Sequence, residues 1–162
     1  MVEKLRKFSR KKIAVETGDV FLIRQSNDQC SLAQLLAVWP DMASIVTFGI
    51  FVTEVPCEHS APHFYENVVR LDSSRLDLIT IISTGVGVVR SGQWERVCTA
   101  PVGLPPTLLP KQPFETGSSI GGAIQSAPLV EGLVEAYRGL AGWDDQLPGR
   151  PGYLSSLLFK GR

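Results

Sequence analysis

Gly18-Asp19-Val20-Phe21-Leu22-Ile23, Ser31-Leu32-Ala33-Gln34-Leu35-Leu36-Ala37-Val38-Trp39 and Ser44-Ile45-Val46-Thr47-Phe48-Gly49-Ile50-Phe51-Val52 follow one another within Thr17 to Val55. These apolar runs, rich in Val, Ile and Phe, predict three consecutive β-strands. The first is expected to begin at Ile13 or Asp19 and end at Arg24, the second to span Gln29 to Trp39, and the third Ser44 to Glu54. Ser26-Asn27-Asp28 is a turn cluster, because Asn and Asp side chains cap tight backbone conformations, so the first two strands should form an antiparallel hairpin. Pro40 stops the second strand, since proline lacks the N–H that the ladder needs. Along the third strand, Ile45, Thr47, Gly49 and Phe51 share one face and Val46, Phe48, Ile50 and Val52 the other. Both faces are apolar at the centre. Ile45 to Val52 is therefore expected to be buried on both sides, beneath a C-terminal helix or a closing barrel wall. Gly49 marks a bend or a close approach.

Outward from this block the pattern is more broken. Residues 56–63 read as a loop with Pro56 and Pro62, and His63 to Leu71 fits either a short helix or an irregular strand lead-in. Leu78-Ile79-Thr80-Ile81-Ile82-Ser83 is a buried strand, which Gly85 to Val89 extends or follows. Ser91-Gly92-Gln93 is a turn before a strand over Trp94 to Thr99, and Pro101 to Pro113 is a proline-punctuated surface crossing. Beyond Gly117 the period changes: Leu129, Leu133, Tyr137 and Leu140 recur at helical spacing. Ser126 and Pro128 supply the start signals, Arg138 suits the negative end of the helix dipole, and Gly139 or Gly142 ends it. A second short helix is predicted from Pro151 to Phe159. Strands first and helices last give an α+β fold: a twisted, mostly antiparallel β-sheet or partly closed barrel with C-terminal helices packed against it.

The chain has 162 residues, enough for one core without a staple, because a chain of this size buries roughly 68–70% of its unfolded surface. Charge is unevenly spread. Lys4, Arg6, Lys7, Arg10, Lys11 and Lys12 are six of the 16 basic residues, so residues 1–12 form a basic, flexible arm. Residues 13–162, the single folded domain, carry 10 basic and 15 acidic side chains, a net −5. An acidic body is poorly suited to nucleic acid, which demands a continuous basic surface. No apolar leader follows the basic residues, and no run approaches the roughly 20 residues of a membrane helix. Cys30, Cys57 and Cys98 are odd in number and widely spaced, so free thiols in a reducing compartment, the cytoplasm, are expected.

Three constellations bear on chemistry. Gly117-Ser118-Ser119-Ile120-Gly121 matches the turn that exposes a nucleophilic serine in hydrolases, but His59 and His63 both precede it and Pro110 and Pro113 replace the strand it needs. Cys57-Glu58-His59-Ser60-Ala61-Pro62-His63 gathers zinc-type ligands, with too few for a four-ligand structural site unless distant Cys30 or Cys98 joins. Gly121-Gly122 before a helix lacks the lysine and hydroxyl of a phosphate loop. No catalytic set assembles, and neither cofactor nor metal is expected.

Three segments together resemble the immunity protein 26 family of bacterial polymorphic-toxin systems. Gly18-Asp19-Val20-Phe21-Leu22-Ile23 is similar to its G-D-x-F-x-I opening, and Gly92-Gln93-Trp94 to its G-x-W strand. Ala136-Tyr137-Arg138-Gly139-Leu140 with Trp143-Asp144, then Pro151-Gly152-Tyr153-Leu154 and Leu157-Leu158, is similar to its tail. Gly142 replaces a frequent proline, the acid before Pro151 is missing, and Val38-Trp39 replaces a glycine-containing second strand. The resemblance implies a cytoplasmic antidote, not an enzyme, that binds and neutralises a cognate toxin domain of a secreted effector. Nuclease toxins have basic clefts that an acidic body would complement. Asp41, Glu54, Glu58, Asp144 and Asp145, with Trp39 as an anchor, are the expected toxin contacts. Two other functions are carried alongside: a small serine hydrolase using Ser119, and a nucleic-acid or structural adaptor acting through the basic arm.

Overall fold

Asn27 and Asp28 turn the chain between β1 (Asp19–Arg24) and β2 (Gln29–Val38). Asp28 adopts a positive φ of 63°, the Asn27 side chain accepts from Gln29 N at 3.2 Å, and Gln25 N donates to Gln29 O at 2.9 Å. This is the chemistry expected of an Asn-Asp turn. The hairpin it closes is antiparallel, with Leu22 opposite Leu32. The computed structural model describes residues 14–38, 45–58, 60–109, 124–143 and 152–160. The expected strand start at Ile13, the basic arm, Trp39, Asp41 and the Gly117–Gly121 turn lie outside them.

β3 (Ile45–Pro56) pairs with β2 on one side and with β4 (Leu78–Gly85) on the other, both antiparallel. With β5 (Glu95–Thr99) and the two-residue β6 (Ile124–Gln125), the sheet among the described residues has six strands in the order β5-β1-β2-β3-β4-β6. β6 runs parallel to β4. The sheet is open and mostly antiparallel, so of the two expected forms the sheet holds and the partly closed barrel does not.

The third strand is covered on both faces. Ile45 to Phe51 are buried and Val52 is half-buried. Val46, Phe48 and Ile50 join a core with Val130, Leu133 and Val134 of α3 (Ala127–Tyr137). Phe51 and Val55 join a second core with Tyr65 and Val69 of α1 (Pro62–Arg75). The C-terminal helix thus covers only one face, and a helix from mid-chain covers the other. The segment His63 to Leu71 is helical, which corrects the simple order of strands first and helices last. Gly49 is a close approach: a Cβ there would lie 3.3 Å from Leu36 Cδ1, with Leu78 and Leu104 next.

α1 is locked to β3 by the buried Asp72, whose carboxylate accepts from Thr53 N at 2.9 Å and Thr53 Oγ1 at 2.8 Å. Of Gly85 to Val89, only Gly85 belongs to β4; a single turn, α2 (Gly87–Arg90), follows it. Leu104, in the segment expected to cross the surface, is buried in the α1-side core.

α3 starts as expected, with Ser126 Oγ accepting from Leu129 N at 3.3 Å and proline in the first turn. Its buried face differs from the expected stripe. Val130, Leu133, Val134 and Ala136 are buried, whereas Tyr137 and Leu140 are exposed. The apolar residues of this helix run nearly all round, so spacing alone did not fix which stripe meets the sheet. The second predicted helix shrinks to α4 (Tyr153–Ser156), which buries Leu154. Past it, Thr80 Oγ1 donates to Leu157 O at 2.6 Å and Phe159 N to Ile79 O at 2.8 Å, so the chain end covers the outer edge of β4.

Candidate binding surface

Gly18 has φ +99°, and a Cβ there would sit 2.7 Å from Ala100 O. Only glycine fits this crossing of β1's lead-in and the end of β5. Asp19 beside it is fully buried; its carboxylate accepts from Thr99 Oγ1 at 2.8 Å and Glu16 N at 3.0 Å, and pairs with Arg96 at 3.4 Å. Trp94 is buried against Phe48 and donates Nε1–H to Glu131 of α3 at 3.0 Å. The third motif ends α3: Gly139 has φ +73°, its N donates to Ala136 O at 3.0 Å, and Leu140 N donates to Glu135 O at 2.9 Å. These are the two reversed bonds of a glycine helix stop. Gly18-Asp19, Trp94 and Gly139-Leu140 are thus structural joints.

The last joint also builds a surface. Glu135 Oε1 and Oε2 accept from Ser26 N at 2.7 Å and Ser26 Oγ at 2.8 Å, so α3 grips the β1–β2 turn. Arg138 Nη2 donates to the buried Ser31 Oγ at 3.0 Å, and its Nε lies 3.4 Å from Glu54 Oε1. Ser31 Oγ in turn donates to Gln25 Oε1, and Gln25 Nε2 donates to Glu54 Oε1 at 2.9 Å. Burial lowers the pKa of Arg138, against the opposing effect of the Glu54 carboxylate; an arginine stays charged regardless. The sequence assigned Arg138 only to the helix dipole; the structure folds its side chain back onto the sheet. The Tyr137 ring lies over the guanidinium, 5.3 Å from centroid to Cζ, and remains partly exposed.

Of the six expected contacts, Glu54 and Glu58 fall among the described residues. Glu54 is exposed on β3 and belongs to the Arg138 network. Glu58 is exposed just past β3, and its carbonyl accepts from Tyr65 OH at 3.1 Å. Both lie at the same end of the sheet, on the sides of α3 and α1 respectively. Trp39, Asp41, Asp144 and Asp145 lie outside the described residues, as do His59 and Ser119.

Cysteine chemistry departs from expectation. Cys30 and Cys57 form a disulfide, which corrects the expectation of free thiols at these positions and removes the ground for a reducing compartment. It also takes both sulfurs from any zinc site in the 57–63 loop. Among the described residues no group of three potential ligands can hold a metal. Cys98 is the free, buried thiol; burial foremost, with Glu66 and Asp19 nearby, pushes its pKa up to about 11. Such a thiol is inert at neutral pH. Among the described residues no helix is long and apolar enough to cross a membrane.

No family model matches the chain, and neither a curated protein nor a solved structure matches it.

Proposed function

We propose that this chain is an immunity-type binding protein that neutralises a cognate bacterial toxin domain by direct protein–protein contact. Tyr137 carries the proposal. Its ring is exposed yet held over Arg138, which Ser31 and Glu54 fix in place. An aromatic ordered before binding loses little entropy on association, and Tyr and Arg are the side chains that dominate interface energetics. Exposed Leu140 extends the same surface, and Glu54 gives it an acidic flank. The net −5 of residues 13–162 suits a basic partner such as a nuclease cleft.

The test is to find a secreted protein with a variable C-terminal domain encoded immediately upstream and to co-express that domain with this chain. Survival of the cells and isolation of a stable complex are expected. Glu54→Lys and Glu58→Lys should slow association, most clearly at low salt. Failure of the intact chain either to protect cells or to form a complex would remove the proposal.

A further inference from the structure

We propose that the Cys30–Cys57 disulfide is a redox latch that docks the start of α1 onto the sheet and releases it on reduction by a dithiol. The two sulfurs are unequal. Cys30 is fully buried on β2, while Cys57 is half-buried just beyond β3. An external thiolate therefore attacks Cys57 Sγ; the S–S bond breaks, and Cys30 leaves as a thiolate that takes up a proton. The second thiol of the reductant resolves the mixed disulfide and frees Cys57. Two electrons pass from the dithiol, which ends as its own disulfide.

Opening this bond acts on α1 because Glu58 and Ser60, which follow Cys57, are tied to α1 itself. The Tyr65 hydroxyl donates to Glu58 O and accepts from Ser60 N, each at 3.1 Å. Ala61 supplies no side-chain cap, and the first turn of α1 has no acidic residue. An uncapped, dipole-uncompensated helix start depends on tertiary ties to stay formed. The far end of α1 differs: Asp72 binds Thr53 twice, and the helix stop at Leu76 is hydrogen-bonded. Reduction should thus loosen the end nearest Cys57 while the Asp72 end stays docked. Nothing in this depends on the identity of a partner.

The test is hydrogen exchange of the full chain, oxidised and after treatment with dithiothreitol, over seconds to minutes, when local openings dominate. Amides of the first half of α1 should exchange at least about tenfold faster after reduction, with those of α3 unchanged. Cys57→Ser should exchange like the reduced chain and ignore the dithiol. Unchanged α1 exchange, or equal acceleration in α1 and α3, would overturn the latch, as would a disulfide that resists the dithiol in the native chain. If Cys57→Ser fails to fold, the reduced wild-type chain still decides.

Discussion

Arg138 Nη2 donates to Ser31 Oγ at 3.0 Å, across 107 residues of sequence. That bond joins the end of α3 to β2, and its guanidinium also faces Glu54. Arg138→Ala leaves the buried Ser31 short of a donor and Glu54 short of its cation. A loss of about 1–3 kcal/mol is expected, read as a lower urea midpoint. Arg138→Lys should recover only part of it, because an ammonium cannot reproduce the planar fork. An unchanged midpoint for Arg138→Ala would mean the network contributes nothing.

Tyr137 separates binding from stability. Its ring is partly exposed, so Tyr137→Ala should change the unfolding midpoint little. The same substitution should weaken the toxin complex by about 2 kcal/mol, roughly 30-fold, as removal of an interface anchor does. Calorimetry on the complex reads the difference, and undiminished affinity would place the interface elsewhere.

Gly18 and Gly139 share positive φ but not surroundings. Gly139→Ala meets open space and should cost about 1–2 kcal/mol for the left-handed backbone alone. Gly18→Ala must also move Ala100 O, 2.7 Å from the new Cβ, and should cost clearly more. Equal midpoints for the two variants would contradict the crowding at Gly18.

Trp94 fills the core between Phe48 and α3. Trp94→Ala should lose about 3–5 kcal/mol through the cavity it leaves. Glu131→Gln keeps an oxygen acceptor for the indole N–H and should cost less than about 1 kcal/mol. Thermal unfolding of the two variants checks both values.

Cys98 sets a pH dependence. Its pKa rises on folding from the ordinary 9.0 to about 11, so the unfolded chain releases this proton first as pH increases. The folded chain then holds more protons, and stability falls with pH across that window. Cys98→Ala should flatten this part of the stability curve. In the native oxidised chain at pH 8, a thiol reagent should react slowly, then rapidly with one thiol once the chain unfolds.

The strands of residues 19–56 were legible because apolar runs rich in Val, Ile and Phe and an Asn-Asp turn are local signals. The Ser126 cap and the Gly139 stop were legible for the same reason, each being chemistry between near neighbours. The helical state of residues 62–75 was not, since Pro62 at its start and a mixed polar face fit two structures equally. The exposed side of α3 was also hidden, because Val130 and Val134 competed with Leu129 and Tyr137 for the sheet. Of the candidate surface, Glu54 was visible as an acid in an apolar strand, but its cation was not.

By itself the sequence determined the sheet's central strands, the signals that start and stop α3, and the double burial expected of Ile45 to Val52, which holds through Phe51 and leaves Val52 half-buried. Tertiary structure alone decided that Cys30 and Cys57 pair, that α1 covers the second face, and that Arg138 turns back to Ser31 and Glu54. The division has a physical cause. Periodicity, capping and turn chemistry act over a few residues, whereas a disulfide or a buried ion pair depends on which distant surfaces the packed layers bring within reach.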